Sequence, residues 1–224
     1  MKFTILTLFP DMFSPLRHSI IKRATESGKI QIDIVDFREY ATNKHKKVDD
    51  TAFGGGAGML IMAEPVVRAI EAIDPEHKAH RVFLTPAART LTHRRVTELA
   101  TAHDHIILLC GHYEGIDQRA IDLCIDECIS IGEYVLTGGE LAAMVVVDAI
   151  SRYVPGVISA DSLARESHTT PGVLEHPQYT KPRTFRGISV PEVLMSGNHA
   201  AIEQWKLDQS AAVTRTIFIP TDSK

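Results

Sequence analysis

The sequence predicts an α/β fold built on a parallel sheet. Short apolar runs rich in β-branched residues alternate with segments of helical length along the first 150 residues. Several runs are apolar without interruption, as in "HIILLC" (105–110), which is typical of strands buried on both faces. Gly- and Pro-rich stretches follow the strands and mark turns at one edge of the expected sheet.

Five segments are predicted to be strands, and in one of them the alternation of apolar and polar residues indicates which face is buried. In the second of them, Ile30, Ile32 and Ile34 alternate with polar residues, which indicates a half-buried strand. The predicted strands are "KFTILTL" (2–8), "IQIDIVD" (30–36), "RVFLT" (81–85), ending at Pro86, "HIILLC" (105–110) and "ECISI" (127–131).

Helices are predicted between these strands and at the carboxyl end of the chain. The helix over 140–154 is apolar on nearly all sides, which predicts burial or a subunit interface. The last helix begins at Asn198, a good N-cap, and has Ile202, Trp205 and Val213 as its apolar stripe. The other predicted helices run from Asp11 to Gly28 and over 64–73 and 91–102.

Two stretches show no periodicity. Residues 37–58 are basic at "KHKK" (44–47) and glycine-rich at "GGGAG" (54–58), and "KHKK" suits either a solvated loop or phosphate contact. Residues 157–190 are polar and read as a linker or as a loop ordered by substrate. The expected organisation is a domain at 1–158, a linker at 159–176 and a small helical domain at 177–224.

Composition excludes several classes of protein. A net charge of −4 is unlike a general nucleic-acid binder, so any RNA contact must use local basic patches. Three cysteines without C-x-x-C spacing argue against a disulfide framework and a zinc site, which predicts a reduced, cytoplasmic protein without a structural metal. No apolar run approaches the ~20 residues that cross a membrane, and the amino end reads as a strand rather than a signal peptide.

Familiar catalytic motifs are also excluded. No Lys-Ser/Thr pair follows "GGGAG", so it is not a P-loop. "SGNH" (196–199) lacks a G-x-S-x-G elbow elsewhere in the chain, so it does not indicate a serine hydrolase. Gly132, Gly138 and Gly139 do not form the dinucleotide pattern G-x-G-x-x-G.

Three loops are the candidate binding site. They are "TPAAR" (85–89), "GHYEG" (111–115) and "GEYVLTGG" (132–139), each directly after a predicted strand. Parallel sheets bind ligands beyond the carboxyl ends of their strands, and small residues let a ligand approach backbone amides. Near the end of the apolar helix, Arg152 suits either a structural salt bridge or a site where negative charge develops.

Seven motifs in order resemble one family over essentially the whole chain, the bacterial tRNA (guanine-N1)-methyltransferases, the TrmD family of the SPOUT superfamily. The motifs are "TLFPDMF", "VDDTAFGGGAGML", "CGHYEGID", "SIGEYVLTGGELA", "SRYVPGV", "LEHPQYTKP" and "VPEVLMSGNHAAIEQW". The resemblance implies an α/β domain with a trefoil knot, a small carboxyl-terminal helical domain and a homodimer whose active sites lie at the subunit interface.

The resemblance also implies the ligands and their contacts. The cofactor is S-adenosylmethionine and the acceptor is guanine N1 at position 37 of tRNA, in the anticodon stem-loop. Asp50, Ser167 and His168 are the implied substrate contacts. Members of the family can require Mg²⁺, for which Glu114 is the candidate contact. The implied cofactor contacts are Leu84, Pro86, Gly111, Tyr113, Glu114, Ile131, Gly132, Glu133, Tyr134, Val135, Leu136, Gly138 and Gly139.

The general base is where the chain departs from the family pattern. The family carries an Asp-Ser motif before "LEHPQYTKP", and this chain has Glu166-Ser167-His168. An ungapped alignment places Ser167 at the base position, whereas a shift of one residue places Glu166 there and keeps a carboxylate followed by Ser. Glu166 as base and Arg152 as electrostatic partner are therefore the expected catalytic residues. The alternatives are a SPOUT methyltransferase for another RNA or base, and a non-catalytic RNA-binding module.

Overall fold

The computed structural model describes residues 1–164 and 166–218, except for the side chain of Phe218. The chain divides into two compact units, a first unit at Met1–Ile158 and a second unit that begins at Ser159. The strands, in chain order, are β1 (Lys2–Thr7), β2 (Gln31–Asp36), β3 (Asp49–Asp50), β4 (Leu60–Ile61), β5 (His80–Thr90), β6 (His105–Cys110), β7 (Glu127–Ser130), β8 (Thr184–Phe185) and β9 (Ile188–Ser189).

Helices connect most of these strands. The α-helices are α1 (Ser19–Glu26), α2 (Ala63–Ile73), α3 (His93–Ala102), α4 (Gln118–Cys124), α5 (Glu140–Ser151), α6 (Ala160–Leu163) and α7 (His199–Phe218). Short 3-10 helices cover Pro10–Arg17, Phe37–Tyr40 and Glu192–Met195.

The first unit is built on a five-stranded sheet with the order β2-β1-β6-β5-β7. Each neighbouring pair is parallel, so the carboxyl ends of all five strands lie at one edge. The predicted parallel α/β sheet is confirmed. Short antiparallel pairs, β3 with β4 and β8 with β9, lie outside this sheet.

Strand β6 lies at the centre of the sheet, and its apolar side chains fill both faces. Ile106 and Leu108 belong to one hydrophobic core, and Ile107 and Leu109 belong to the other. All four are fully buried. Since successive side chains of a strand point to opposite faces, an uninterrupted apolar run is what this central position requires.

The two cores are covered by different helices. Side chains of α1, α3 and α5 pack into the core that contains Phe3 and Ile5. Those of α2 and α4 pack into the core that contains Leu6 and Phe37. The helices therefore form one layer on each face of the sheet, which leaves the carboxyl edge open for loops.

Two predictions of local structure differ from the fold. The helix expected from Asp11 is a 3-10 helix followed by α1, because Pro15 lies inside the first segment and Ser19 has a left-handed φ of 53°. Strand β5 does not end at Pro86 but continues to Thr90, with a shift of register against β7 after Leu84. Pro is tolerated there because the pairing is irregular at that point.

The second unit has more local order than a linker. A two-residue turn at Arg186-Gly187, both with positive φ, joins β8 to β9 in the region predicted to lack periodic structure. The last helix begins as predicted, with the Asn198 side-chain oxygen accepting from the Ala201 amide at 3.2 Å. Trp205 on α7 lies near the rings of His176 and Tyr179, at 6.1 and 6.2 Å between ring centroids.

Candidate functional site

A cavity of about 330 Å³ opens at the carboxyl edge of the sheet. It is bounded by the end of β5 and by the segments that follow β6 and β7, so the three predicted loops meet there. Its walls are formed by Phe83, Leu84, Thr85, Pro86, Ala87, Gly111, His112, Tyr113, Glu114, Gly115, Ile129, Ser130, Ile131, Gly132, Tyr134, Val135, Leu136, Thr137, Gly138, Gly139 and Ala142.

The structure brings the residues predicted to hold the cofactor together around this cavity, with one exception. Glu133 is exposed and does not line it. The residues that the sequence analysis did not predict, such as Phe83 and Ser130, are immediate neighbours of the predicted ones on the same segments. These residues could have been predicted from their position at the end of a strand, because the residues at a strand end line the cavity together with the loop that follows.

Gly139 is required by the packing of the chain around it. A Cβ at this position would lie 2.8 Å from Cys110 Cα and 2.9 Å from the Gly111 nitrogen, which are backbone atoms that cannot rotate away. The Gly139 amide donates to the Gly111 carbonyl at 2.8 Å. The loop before α5 is therefore pressed against the end of β6, and this close approach explains the glycine.

Gly132 and Gly138 differ from Gly139 in what surrounds them. A Cβ at Gly132 would lie 2.3 Å from the Tyr134 ring, a side chain that is 55% exposed. A Cβ at Gly138 would meet the carboxylate of Glu140 at 2.4 Å and His112 Nδ1 at 3.1 Å. The glycines thus leave room for side chains that border the cavity.

Glu140 is a buried carboxylate beside the cavity that sequence reasoning did not single out. Only 2% of its surface is exposed, and its Oε1 accepts from the Thr7 hydroxyl at 2.8 Å. The Thr7 oxygen in turn accepts from the Phe9 amide at 2.9 Å. Glu140 lies in the first turn of α5, where the helix dipole favours negative charge. It connects the end of β1 to the start of α5, where the loop that precedes α5 ends.

His112 contributes a buried ring nitrogen with unused bonding capacity. Its Nδ1 has no hydrogen-bond partner in the part of the chain that the structure describes. The ring lies 4.9 Å from that of Phe9 and 4.8 Å from that of Tyr113. Buried polar atoms are rarely left without a partner, so the His112 Nδ1 is an exception among the described residues.

Aromatic and aliphatic side chains at the rim of the cavity are exposed to solvent, although apolar side chains are more stable when buried. Tyr113 is 45% exposed and has a left-handed φ of 56°, while Val135 is 81% exposed. A non-glycine residue in this backbone region is strained, and such strain clusters at functional sites. The rim therefore has apolar surface available for a ligand or a partner to cover.

The residues predicted for catalysis and substrate binding lie elsewhere in the chain. Arg152 follows α5 and is half-buried, and its amide donates to the Asp148 carbonyl at 3.3 Å. Glu166 is half-buried in the second unit and lines a different cavity of about 400 Å³ together with residues of α7. Ser167 accepts from the Glu175 amide at 3.0 Å, and His168 is exposed with a left-handed φ of 70°.

Asp50 does not line the cavity at the carboxyl edge. Its carboxylate accepts from the Thr51 amide at 2.8 Å and pairs with Lys47 at 3.3 Å. These two contacts lower the pKa of Asp50, with the backbone hydrogen bond as the larger cause. Asp50 borders a second opening with Phe53 and Arg119, so it is ionised and accessible there.

A dedicated metal site is not evident in the chain that the structure describes. No group of three or more His, Cys, Asp or Glu side chains within 1–164 and 166–218 could hold an ion. Glu114 is a single carboxylate on the cavity wall.

The family model described as tRNA (Guanine-1)-methyltransferase TrmD matches residues 1–219 of this chain. The chain belongs to the TrmD family. A TrmD relative from Ruminiclostridium cellulolyticum, named tRNA (guanine-N(1)-)-methyltransferase, is 51% identical over 219 residues, which cover 96% of this chain and 93% of the relative. Relatives of the same name from Carboxydothermus hydrogenoformans and Staphylococcus aureus are each 49% identical, covering 97% and 93% of this chain and 85% of the relatives.

Among the described residues of this TrmD chain, no helix is both long and apolar enough to cross a membrane.

Proposed function

We propose that this protein transfers the methyl group of S-adenosylmethionine to N1 of guanine at position 37 of tRNA. The observation that carries the proposal is the glycine-lined cavity at the carboxyl edge of the sheet, in a chain that belongs to the TrmD family. The relatives are named for the same methyl acceptor, guanine N1 in tRNA.

The cavity fits the cofactor by size and by chemistry. A volume of about 330 Å³ lies within the range of small-molecule sites, roughly 300–1,000 Å³. The cofactor is a sulfonium that supplies an electrophilic methyl group when bound. Backbone groups at Gly111 and Gly138 can approach its adenosine closely, and the unused Nδ1 of His112 can bond a polar group. We expect Tyr113 and Leu136 to cover its apolar surface.

A basic segment of the second unit supports tRNA as the partner. Residues 176–191 contain three cations and no carboxylate, in a chain whose net charge is −4. Lys181, Arg183 and Arg186 alternate along it with exposed Tyr179 and Phe185. Cations bind phosphates and aromatic rings stack on bases, so this pattern suits an RNA strand better than a protein surface.

The chemistry assigns two roles to residues of this chain. Guanine N1 carries a proton at neutral pH and is a poor nucleophile until that proton is removed. We propose that the Glu166 carboxylate accepts the N1 proton while N1 bonds to the methyl carbon and the carbon–sulfur bond breaks, its electron pair remaining on sulfur. Negative charge that builds on guanine O6 is stabilised by the Arg152 guanidinium. The guanine must leave its stack for these groups to reach it.

Assembly and chain topology belong to the same proposal. We expect a homodimer whose active sites are shared between subunits, because Leu141 and Val145 leave an apolar face of α5 about half exposed. We also expect the segment after β7 to pass through the trefoil knot of SPOUT proteins. The tight contact of Gly139 with the backbone at Cys110 supports such a crossing.

The decisive experiment is methyl transfer to unmodified tRNA by the wild type and by Glu166→Gln. The amide keeps the shape of the side chain but cannot accept the proton, so we expect the rate to fall about 10²- to 10⁴-fold with cofactor affinity unchanged. Asp161→Asn is the matched control, because Asp161 is an exposed carboxylate five residues earlier, and it should stay near wild type. A dead Asp161→Asn beside an active Glu166→Gln would reassign the base.

The acceptor position is tested separately. Transcripts with another nucleotide at position 37 should not be methylated, whereas methylation of a changed position would identify a different RNA target. Failure of the wild type to methylate any tRNA, with S-adenosylmethionine still bound, would favour a non-catalytic RNA-binding module.

Assembly is tested by light scattering at micromolar concentration. We expect the mass of a dimer, and Val145→Asp should shift it to that of a monomer because a charge cannot be buried unpaired at an interface. Leu123→Asp, which places the same charge at an exposed apolar position of α4, is the control. A fully active monomer would contradict the shared active site.

A further inference from the structure

The segment that carries Glu166 is a closed loop rather than an open strand of chain. The His168 amide donates to the Val173 carbonyl at 2.8 Å, and the Glu175 amide donates to Ser167 Oγ at 3.0 Å. The two ends of the loop, at 166–168 and 173–175, are thereby held side by side. The position of Glu166 depends on how this closed loop is anchored.

The anchor is a single loop residue, Leu174, whose backbone amide and backbone carbonyl are both bound by side chains of α7. The Leu174 amide donates to the Thr214 hydroxyl at 2.9 Å, and the Ser210 hydroxyl donates to the Leu174 carbonyl. Ser210 and Thr214 are four residues apart, so they lie one above the other on the same face of α7. Both hydroxyls are half-buried. A loop backbone bound at its donor and its acceptor can neither slide nor rotate against the helix.

We propose that Ser210 and Thr214 are positioning residues for the methyl-transfer reaction, acting through the loop on Glu166. The inference rests on the proposed function, in which Glu166 is the base. The connection is short: α7 holds Leu174, the adjacent Glu175 amide binds Ser167, and Ser167 is bonded in sequence to Glu166. Ser167, expected to contact substrate, is used here to close the loop.

The physical reason for such an anchor is the sensitivity of proton transfer to geometry. A base must lie within hydrogen-bond reach of the proton it removes, and a displacement of about 1 Å can cost about 10²-fold in rate. Side chains of a helix are better references than those of a loop, because a long helix is rigid over its length. The anchor fixes the carboxylate without contributing a group to the reaction.

The test compares kcat at saturating tRNA for Thr214→Val, Ser210→Ala and the wild type. Each variant removes one side of the Leu174 anchor, so we expect kcat to fall about tenfold in each, with an unchanged dissociation constant for S-adenosylmethionine. Thr214→Ser keeps a hydroxyl and should restore kcat. Wild-type kcat in both Thr214→Val and Ser210→Ala would overturn the inference.

Thr216→Val is the matched control. Its hydroxyl donates to the Ala212 carbonyl within α7 at 3.0 Å, and the residue is exposed, so the same substitution on the same helix leaves the anchor intact. We expect wild-type kcat. An equal loss in Thr216→Val and Thr214→Val would show that a general weakening of α7 is responsible and would overturn the inference.

A double-variant cycle with Glu166→Gln separates positioning from structural damage. If Thr214 acts through Glu166, Thr214→Val should cost little more in the Glu166→Gln background, since no base remains to be positioned. A full tenfold loss there would overturn the positioning role while leaving Glu166 as the base. Wild-type activity in Glu166→Gln alone would instead show that the proposed base is wrong.

Discussion

The carboxyl edge and the amino edge of the central sheet, where its strands end and begin, differ in how their polar side chains are paired. At the carboxyl edge, glycines and short loops surround a cavity, and a buried ring nitrogen of His112 has no partner among the described residues. At the amino edge, polar side chains around the starts of β5 and β7 bind one another. His80 and Arg95 both bind Glu127, at 2.8 Å each, and the ring of His80 stacks on that of His103 at 4.2 Å.

This difference separates the part of the sheet that binds from the part that stabilises. At the carboxyl edge, the Nδ1 of His112 has hydrogen-bonding capacity that no described residue uses. At the amino edge, the polar side chains are already paired with one another. Removing such a pair should therefore lower the stability of the protein and leave the rate of methyl transfer unchanged. The comparison is therefore testable by substitutions at each edge.

The largest expected effect is at the amino edge, in the buried pair of Arg81 and Asp74. Their side chains are 7% and 6% exposed, and Arg81 Nε donates to Asp74 at 3.0 Å. Arg81→Met leaves the Asp74 charge buried without its partner, which should lower the free energy of unfolding by about 3–5 kcal/mol. Chemical denaturation measures this loss, and methyl transfer at low temperature should stay near wild type.

Two further variants sharpen that result. Adding Asp74→Asn to Arg81→Met should recover part of the stability, because the unpaired charge is then removed. Arg94→Ala breaks an exposed pair with Glu98, whose side chains are 86% and 40% exposed, and should cost at most about 0.5 kcal/mol. Loss of activity in folded Arg81→Met would break the separation of the two edges.

The next effect is at the carboxyl edge, where Gly139→Ala should act on chemistry. Its Cβ would collide with the backbone at Cys110 and Gly111, so the loop must move and take the cavity wall with it. We expect methyl transfer to fall about 100-fold. Gly132→Ala is the control, since its collision is with the Tyr134 ring, which can rotate, and it should cost less than about tenfold. Equal effects of the two substitutions would contradict this account of Gly139.

The smallest effect is the dependence of stability on pH. Burial first, and then the electrostatic influence of His80 and Arg95, lower the pKa of His103 below its ordinary value of 6.5. Burial first, and then Lys2, do the same to the pKa of His105. As the pH falls below 6.5, these two histidines become protonated in the unfolded chain but stay neutral in the folded protein. The folded protein therefore loses stability until the pH reaches the lowered pKa of the folded state.

Denaturation at pH 7.5 and 5.5 checks this expectation. The protein should be less stable at pH 5.5, and His103→Gln should reduce the difference between the two values. His45→Gln, at an exposed loop position, should leave the difference unchanged. A protein more stable at pH 5.5 would contradict the lowered pKa of His103 and His105.

The sheet could be predicted because the pattern of apolar residues in each strand indicates which of its faces are buried. The uninterrupted apolar run of β6 predicts a strand covered on both faces, and the structure confirms its bounds at His105–Cys110. Helix α7 was predictable from the Asn198 cap. The extension of β5 past Pro86 was not, since a register shift against β7 absorbs the proline, and that shift depends on a strand 40 residues away.

The site was predictable where it depends on chain position and not where it depends on packing. Loops after parallel strands must share one edge, which is why Gly111 and Gly138 could be placed together. The roles of Glu140 and of Gly139 depend on contacts with Thr7 and Cys110, which are distant in the chain. The anchoring of Leu174 by α7 is likewise a tertiary contact that no local pattern encodes.

The central position of β6 also governs how the protein can form during its synthesis. The first strand leaves the ribosome early, yet Lys2 of β1 pairs with His105 of β6. Until β6 is translated, β1 can pair only with β2, and an isolated two-stranded pair is marginal in water. At about 5–20 residues per second this interval lasts several seconds, during which Phe3, Ile5 and Leu6 lack their cores. A ribosome stalled before His105 would therefore present a nascent chain that proteases cleave and chaperones bind.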